Sequence, residues 1–462
     1  MPGQKFMKIL QLLAWYYPES IGGTEGYVAG LARRFAASGH EVSIAAPDVQ
    51  HDRVREYEHE GISVFRYPVP FFKTRAEAQF GEVPGAQFLH EFLRRYKPEI
   101  AHFHSFTPGL SMPELRIARQ VAASVFFTAH TSGLGYICTR GSMMHWGEVL
   151  CDGLCSVQKC SACALQARGL PKGLAVALST NPLTLSRMAG ALPGRVGTAL
   201  GMPDFIVRTQ QQQREVVRLV DNFIVLTQWA ADVVVANGAP PEKTALNRLG
   251  FGQQGVNRKP GPSERPTTLP IRIGYVGRYE AIKGVHDLAR AVTALPREVP
   301  VELEFRGPVP TKYQQAVVDE LRAIVGDDPR VSFAPAVSAE EVPGVIAGYD
   351  VLCCPAICLE GGPTVALEAQ ACGTPVIGTR IGGLAELVRE GIDGALVTPG
   401  EWRALSRLIG SIVADPAATV DRWRRNLPQP RTMDEVASDY LRLYAESLAV
   451  NGRQKIANTR EP

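Results

Sequence analysis

The sequence predicts an α/β protein with two doubly wound domains, each built on a parallel β-sheet. Three observations support this prediction. The chain has 462 residues, too many for one hydrophobic core of ordinary size. Short apolar runs alternate with amphipathic stretches of helical length in both halves of the chain. Between the halves, residues 249–266 are rich in Gly and Pro and lack a hydrophobic period, which is typical of a linker.

The first half begins with an apolar run that ends before Pro18 and has no cleavage site, so it predicts a strand and not an export signal. The alternation that follows predicts a parallel sheet, because each helix returns the chain to the same edge. The expected strands are 8–14, 41–45, 62–66, 100–104 and 125–128, and the expected helices are 24–37, 85–96 and 113–122.

The second half repeats this alternation. Its expected strands are 271–276, 301–306, 331–333, 351–354 and 375–378, and its expected helices are 285–294, 313–324, 364–371 and 384–389. The amphipathic stretch 436–448 predicts a last helix that packs across both domains, and the polar end of the chain predicts fraying. We therefore expect domains at 1–255 and 256–430, the last helix within 431–450 and a tail at 451–462.

The composition excludes several classes of protein. Apolar residues make up 45% and charged residues 21%, which is typical of a globular protein and not of a disordered or fibrous one. The formal net charge of +3 gives no reason to expect a nucleic-acid partner. The apolar stretch 223–239 is interrupted by polar residues and is shorter than the ~20 residues that span a bilayer. We expect a cytoplasmic chain that is free to visit the inner face of a membrane.

Ligands of parallel α/β domains bind beyond the carboxyl ends of the strands, where two loops of this chain have suggestive residues. Gly22 and Gly23 open the first helix, where backbone N–H groups can receive an anion, although a tight turn explains them equally well. Arg278 and Lys283 stand between a strand and a helix, where two cations can hold a diphosphate. Two solvated surface charges would show the same spacing.

A third loop, Glu360-Gly361-Gly362-Pro363-Thr364, precedes another helix of the second half. Its glycines let the N–H groups at the start of that helix approach a phosphate. Glu368, one turn inside the helix, is placed to accept hydrogen bonds from ribose hydroxyls, and Glu360 lies where sugar hydroxyls would be. Two carboxylates eight residues apart indicate little by spacing alone.

Taken together, the last two loops resemble glycosyltransferase family 4, the retaining enzymes of the GT-B fold. The Glu-x7-Glu motif matches at Glu360 and Glu368, and residues 371–378 fit the strand that follows. The Gly-Arg-x4-Lys-Gly turn matches at Gly277, Arg278, Lys283 and Gly284. The resemblance extends to Gly22-Gly23 and to residues 39–42, whereas 171–214 do not visibly match. It implies two Rossmann-like domains that face each other across a cleft.

The resemblance also implies roles for these residues in a glycosyltransferase with a nucleotide diphosphate-sugar donor. Arg278 and Lys283 would neutralise the diphosphate, Glu368 would hold the ribose, and Glu360 would orient the transferred sugar. The other implied donor contacts are Gly22, Gly23, Gly277, Gly361, Gly362, Pro363 and Thr364. The family has a histidine near the donor sugar, and His130 occupies the matching place; His104 is the weaker candidate. For either histidine, the alternative is a structural side chain of the core.

Charge develops on the diphosphate as it leaves, so nearby cations favour its departure. The sequence has no Asp-x-Asp triplet, and we expect catalysis to need no divalent cation. The resemblance implies retention of configuration and a glycan or glycolipid acceptor of cell-envelope or exopolysaccharide assembly. A nucleotide-sugar epimerase or hydrolase and a non-enzymatic binding protein stay open as alternatives. A dinucleotide-linked oxidoreductase is disfavoured, because no Gly-x-Gly-x-x-Gly follows the first strand.

Five of the nine cysteines lie at 138–163, where the resemblance predicts an insertion in the first domain. Cys160 and Cys163 have the Cys-x2-Cys spacing by which two thiolates share one tetrahedral ion. Some family 4 members are similar here, and on that basis we expect a structural zinc held by Cys138, Cys151, Cys160 and Cys163. Cys155 is then the spare thiol. An iron–sulfur cluster and metal-free thiols are the alternatives.

Overall fold

The computed structural model describes residues 6–20, 22–69, 83–130, 133, 136–252 and 267–458. Residues 253–266, most of the predicted linker, lie outside this part of the chain. The chain forms two compact units: Met1–Arg248 together with Asp434–Pro462, and Leu249–Met433. None of the described helices is long and apolar enough to cross a membrane.

The first unit is built on an eight-stranded sheet with the order β10-β9-β6-β5-β1-β2-β4-β3. All neighbouring pairs are parallel except β3 and β4. Its strands are β1 (Lys8–Leu12), β2 (Glu41–Asp48), β3 (Arg55–His59), β4 (Ile62–Pro68), β5 (Ile100–Phe103), β6 (Ser124–Ala129), β9 (Asn222–Val225) and β10 (Thr244–Leu246). A separate two-stranded sheet pairs β7 (Met144–His145) with β8 (Val149–Leu150). The central strands are buried on both faces, which explains why they read as continuous apolar runs.

Helices flank this sheet and form a helical subdomain beside it. They are α1 (Gly23–Ala37), α2 (Ala86–Tyr96), α3 (Met112–Val121), α4 (Val157–Gln166), α5 (Lys172–Ser179), α6 (Leu183–Gly190), α7 (Gly194–Leu200), α8 (Met202–Leu219) and α9 (Gln228–Ala236), followed by a 3₁₀ turn at Pro241–Lys243. A box at Ser111 and Glu114 caps α3, each side chain satisfying backbone N–H groups at the start of the helix. In the helical subdomain, α4, α5 and α8 share a small core that includes Leu165 and Ile206.

The second unit is built on a six-stranded parallel sheet with the order β13-β12-β11-β14-β15-β16. Its strands are β11 (Ile271–Val276), β12 (Val301–Arg306), β13 (Val331–Ala334), β14 (Val351–Cys354), β15 (Val376–Thr379) and β16 (Gly394–Val397). Counted in sequence, this order is 3-2-1-4-5-6, that of a doubly wound nucleotide-binding fold. With the first sheet, it confirms the predicted fold class of two Rossmann-like parallel-sheet domains.

Helices pack on the second sheet through a continuous apolar core that includes Leu288, Phe305 and Ile409. They are α10 (Val285–Thr293), α11 (Lys312–Val325), α12 (Val342–Ala347), α13 (Thr364–Ala371), α14 (Gly382–Leu387), α15 (Trp402–Ala414) and α16 (Arg422–Arg425), with a 3₁₀ turn at Ala281–Lys283 and a π-helical turn at Ala417–Asp421.

The last helix, α17 (Met433–Asn458), returns to the first unit from Asp434 onward. It lies against the first sheet, where Ser447 Oγ donates to Ser124 Oγ at 3.0 Å and Asn451 Nδ2 donates to the carbonyl of Ala123 at 3.0 Å. The helix includes residues 451–458, which the sequence led us to expect in the tail, because Asn451 makes contacts that hold this end.

The sequence missed several elements of the first unit. β3 is a polar edge strand whose residues are alternately half-buried and exposed, so it lacks the apolar run that marked its neighbours. The stretch 223–239, judged only for its apolar length, is divided between β9 and α9. Among the helices from 157 to 219, α5, α6 and α7 were missed because they have seven or eight residues each and their fully buried positions are small. The longer helices α4 and α8, of 10 and 18 residues, were missed as well.

Candidate active site

The two loops predicted to bind a diphosphate meet at the switch point of the second sheet. β11 and β14 are neighbours, and the remaining strands extend from them in opposite directions. Ligands of open parallel sheets bind at this point, outside the carboxyl ends of the strands. The loop after β11 holds Arg278 and Lys283, and the loop after β14 holds residues 355–363. Sheet order therefore brings together two segments that are far apart in sequence.

Backbone contacts fasten these two loops to each other. The N–H of Ile357 donates to the carbonyl of Ile282 at 2.9 Å. Gly284, which follows Lys283, has a φ of +72° and begins α10. A Cβ atom at Gly284 would lie 1.8 Å from the carbonyl oxygen of Pro355, far inside contact distance. Only glycine allows this approach, so the motif glycine sets the separation of the two loops.

Both predicted cations are already paired with carboxylates of the protein. The Lys283 ammonium forms a short ion pair with the Glu360 carboxylate, and both side chains are about one-quarter exposed. The Arg278 guanidinium lies 2.9 Å from the Glu280 carboxylate and is 62% exposed. Arg278 is therefore accessible to a ligand, whereas Lys283 would have to exchange Glu360 for a phosphate oxygen.

The glycine-rich loop before α13 rests on a second pair of glycines that sequence reasoning missed. The N–H of Gly383 donates to the carbonyl of Glu360 at 2.9 Å. A Cβ at Gly382 would lie 2.6 Å from that carbonyl oxygen, and one at Gly383 would lie 2.6 Å from the Cα of Gly362. Gly382 and Gly383 open α14 after a strand, the same signal by which Gly361 and Gly362 were recognised.

The start of α13 presents backbone donors and one buried acid. Pro363 occupies the N-cap position and has no side-chain acceptor for the first N–H groups, which leaves them for a ligand. Glu368 is half-buried one turn inside the helix, and burial raises the pKa of its carboxyl group. In the part of the chain that the structure describes, this carboxylate has no hydrogen-bond or ion-pair partner.

The predicted histidines lie together at the carboxyl ends of two adjacent strands in the first unit. His104 follows β5 and His130 follows β6. His104 Nδ1 lies 2.9 Å from His130 Nε2, and His104 Nε2 lies 2.5 Å from Gln11 Oε1. His104 is buried, whereas His130 is half-buried. The weaker candidate is therefore the inner partner of the stronger one, and Gln11 was missed.

These hydrogen bonds define the tautomers of the two imidazoles. Gln11 Oε1 can only accept, so His104 Nε2 carries the proton and His104 Nδ1 accepts. His130 Nε2 must then donate, which leaves His130 Nδ1 with a lone pair as an acceptor. Burial lowers the pKa of His104 well below its usual value and lowers that of His130 to about 3, so both rings are neutral near pH 7.

A third histidine, which the sequence did not single out, links this cluster to the last helix. His102 Nδ1 lies 2.6 Å from the hydroxyl of Tyr444, and His102 Nε2 lies 2.7 Å from Thr128 Oγ1. Thr128 Oγ1 is 3.0 Å from the hydroxyl of Tyr440, to which Tyr27 donates at 3.1 Å. α17 therefore completes the polar core beneath the histidines. Tyr440 and Tyr444 lie in the stretch 436–448, which the sequence predicted only to be an amphipathic helix.

The glycines at the start of α1 differ in what surrounds them. A Cβ at Gly22 would lie 2.6 Å from a carboxylate oxygen of Glu25, which accepts a hydrogen bond from Ser20 Oγ at 2.5 Å. The predicted anion position beside Gly22 is thus next to a carboxylate of the protein itself. At Gly23, none of the described residues outside the adjacent backbone has an atom within 4 Å of the corresponding position, so the space there is open.

The five clustered cysteines, Cys138, Cys151, Cys155, Cys160 and Cys163, all line one cavity, together with His145. A hydrogen bond joins the thiols of Cys155 and Cys160, and it lowers the pKa of the first and raises that of the second. Among the described residues, the one trio of metal-binding side chains with ligand atoms within 4.8 Å of one another is Glu19, Asp48 and His51. Those acids pair with Arg55, and the cysteine thiols surround their cavity at wider spacing.

Comparison with protein families assigns both units. Residues 22–250 match the family described as "Glycosyl transferase 4-like domain". Residues 270–415 match the family described as "Glycosyl transferases group 1". The first match lies almost wholly within the first unit and the second within the second unit, so the two matches follow the division of the structure.

Individual relatives agree with these families. The chain is 25% identical over 455 residues to the MMP α-(1→4)-mannosyltransferase of Mycolicibacterium hassiacum, covering 95% of this chain and 98% of the relative. It is 28% identical over 264 residues to the D-inositol 3-phosphate glycosyltransferase of Salinispora arenicola, covering 52% and 58% of the two chains. The solved sucrose-phosphate synthase of Thermosynechococcus elongatus shares the fold, with a TM-score of 0.61 at 18% identity over 96% of this chain and 100% of the other.

Proposed function

The chain belongs to glycosyltransferase family 4 and transfers a sugar from a nucleotide-sugar donor, and we propose that its second unit binds the donor diphosphate through Arg278, Lys283 and the start of α13. The observation that carries the proposal is the contact of Gly284 with Pro355, which holds the two phosphate-binding loops together at the switch point of the sheet. Glu368, whose carboxylate is partly buried without a partner, receives the ribose hydroxyls.

The charges at this site suit the departure of a nucleoside diphosphate. The bond between the anomeric carbon and the phosphate oxygen breaks, and its electron pair stays on the diphosphate, where Arg278 and Lys283 stabilise it. Glu360 releases Lys283 when the donor binds and turns to the sugar hydroxyls. The hydrogen bonds of His104 and Gln11 leave a lone pair at His130 Nδ1, which suits the role near the donor sugar that the family resemblance implies for His130.

We further propose that configuration is retained, with the acceptor oxygen attacking on the face from which the diphosphate leaves. The acceptor proton then passes to the departing phosphate oxygen, so neither a protein base nor a divalent cation is needed. The relative that matches over nearly its full length is named as an α-(1→4)-mannosyltransferase, and we propose a glycan or glycolipid acceptor for this chain. A lipid-linked acceptor would place the enzyme at the inner face of a membrane.

A thermal-shift screen of nucleotide diphosphate sugars tests the donor assignment. A ligand at 100 times its dissociation constant adds about 2.7 kcal/mol to stability, which moves the melting temperature measurably. The donor found should be consumed slowly until candidate acceptors are added, and product NMR should show the anomeric configuration of the donor. Rapid consumption of the donor without any acceptor would favour the epimerase or hydrolase alternative.

We propose that the cavity lined by five cysteines holds one structural zinc ion, with Cys138, Cys151, Cys160 and Cys163 as ligands and Cys155 as the spare thiol. The convergence of thiols from separate turns and from α4 on one cavity supports this proposal. The segment from 136 to 156 has only the two-residue strands β7 and β8, so a metal would supply the order that a small core cannot. Binding would draw the thiolates into a tetrahedron.

Metal analysis of protein purified without a histidine tag should find about one zinc per chain. The double variant Cys160→Ser, Cys163→Ser should lose the metal and become protease-sensitive at 136–156, whereas the control Cys155→Ser should keep it. Metal-free wild-type protein with a protease-resistant segment would exclude the zinc site.

A further inference from the structure

The region of the short helices α5, α6 and α7 in the first unit exposes an unusual number of large apolar side chains. The side chains that face water are Leu174, Leu183, Leu185, Met188, Leu192 and Val196, with exposures from 43% to 75%. Isolated exposed apolar residues are normal on a soluble protein and need no explanation. Here they fall within 23 consecutive residues, so they mark a surface.

The inward positions of the same helices are small. α5 buries Ala175 and Ser179, α6 buries Ser186 and Ala189, and α7 buries Gly197. An amphipathic helix of a soluble domain places its large apolar residues against the core and small or polar ones outside. Apart from Leu178 of α5, which packs against the small core, these helices have the reverse arrangement, and most of their large apolar side chains face outward.

Glycines let the ends of these short helices pack closely against one another and against the start of α8. A Cβ at Gly201 would lie 2.6 Å from the Cα of Gly190, and one at Gly197 would lie 1.8 Å from the carbonyl oxygen of Leu192. The backbones of these helices are therefore closely packed, and this packing fixes the positions of the outward side chains. The large side chains lie on the outer surface because the close packing of the backbone leaves no room for them inside.

The segment of the chain that contains this apolar surface has an excess of positive charge. Between Asp152 and Asp204 the sequence has five Lys or Arg residues and no Asp or Glu. Three of the five, Lys159, Lys172 and Arg187, form ion pairs with Asp152, Glu148 and Asp204, respectively. Arg195 is exposed on α7. Positive charge is in excess even when the acidic partners are included, and an apolar patch with a basic border is complementary to an anionic lipid surface.

We propose that the α5–α7 surface docks in the interface of a bilayer that contains anionic lipids. The helices have seven or eight residues, so they lie along the interface, with Leu185, Met188 and Val196 entering the boundary between headgroups and acyl chains. Arg187 and Arg195 remain at the level of the lipid phosphates. This surface extends the proposed function, because it brings the enzyme to a lipid-linked acceptor, but lipid binding itself requires no sugar transfer.

Co-sedimentation of the full chain with vesicles tests the proposal. The wild-type protein should bind vesicles of 70% phosphatidylcholine and 30% phosphatidylglycerol at least tenfold more tightly than pure phosphatidylcholine. The triple variant Leu185→Ser, Met188→Ser, Val196→Ser should lose at least tenfold in binding. The matched control Val309→Ser, Tyr313→Ser, Ile392→Ser removes three exposed apolar side chains of the second unit and should bind like the wild type.

A second readout reports insertion directly. The emission of Met188→Trp should shift to the blue on addition of anionic vesicles, and that of Tyr313→Trp should stay unchanged. Failure of the wild type to bind, or equal binding by both triple variants, would overturn the proposal. So would a dimer in sedimentation velocity that the first triple variant converts to a monomer without any vesicle binding. Donor binding by calorimetry, measured in parallel, separates these results from a failure of the proposed function.

Discussion

Replacing Gly284 with alanine tests whether the contact between the two phosphate-binding loops matters for donor binding. Gly284 has a φ of +72°, in the left-handed region, and an added Cβ would lie 1.8 Å from the Pro355 carbonyl oxygen. The two groups would have to separate by more than ~1 Å, because real Cβ contacts are almost never shorter than 3.0 Å. That movement would shift Lys283 away from the loop that contains Glu360.

The free energy cost of Gly284→Ala has two parts, and a matched variant separates them. A left-handed backbone costs an L-residue about 1–2 kcal/mol, and forcing an extra carbon into a packed site costs about 1–3 kcal/mol more. Gly391 lies in the same unit and also has a φ of +72°, and apart from its chain neighbours no described residue has an atom within 4 Å of its Cβ position. Gly391→Ala should therefore lose only the first part, and Gly284→Ala should lose both.

Urea unfolding measures the stability of the two variants, and calorimetry with the donor nucleotide measures their affinity. We expect Gly284→Ala to unfold at lower urea than Gly391→Ala and to bind the nucleotide at least tenfold more weakly, a loss of about 1.4 kcal/mol. Gly391→Ala should bind like the wild type. Equal stability and equal affinity in the two variants would refute the argument from close approach.

Three further predictions concern charge. Lys283→Met should lower kcat about 10²–10³-fold with little change in melting temperature. Lys312→Met, an exposed control, should leave kcat unchanged. Near wild-type turnover in Lys283→Met would remove Lys283 from the mechanism. Glu368→Gln should weaken nucleotide binding roughly 10–100-fold yet raise the urea midpoint at pH 7, since burial raises the pKa of this carboxyl and so disfavours its charged form. This gain should vanish near pH 4, where the wild-type carboxyl is protonated, and unchanged affinity would exclude the ribose contact. The pKa of His130 is lowered to about 3, so the unfolded chain binds this proton first, near pH 6.5, and the unfolding free energy should fall on acidification from there. His130 alone contributes up to about 1.4 kcal/mol per pH unit, and buried His104 adds to the same slope. A stability that rises over this range would contradict burial as the cause.

The sequence by itself predicted most of the parallel-sheet core of the second unit, although it missed β16, α12 and α15. The predicted strands 271–276, 301–306 and 351–354 and the helix 364–371 agree with β11, β12, β14 and α13 to the residue. A strand buried on both faces is a continuous apolar run, and a helix that packs on a sheet has an apolar period, so each carries its own local signal. The motifs that lie between these elements also identified the family.

The edge strand of the first sheet and the short helices beside it have no comparable local pattern in the sequence. β3 has charged, partly exposed residues because it lies at the sheet edge, and its local pattern resembles that of a loop. α5, α6 and α7 place small residues inside and large ones outside, which reverses the pattern by which a helix is recognised. From the sequence alone, a helix of this kind cannot be distinguished from an irregular segment, because its large apolar residues do not mark a buried face.

The tertiary structure alone decided which residues meet. Lys283 and Glu360 were assigned to separate tasks from their motifs, and sheet order made them partners in one ion pair. His104 was ranked below His130, yet it fixes the tautomer of His130 through a chain of hydrogen bonds that begins at Gln11. These contacts join residues on different strands. Local patterns determine whether a segment becomes a strand or a helix, but only the order of strands in the folded sheet determines which loops lie side by side.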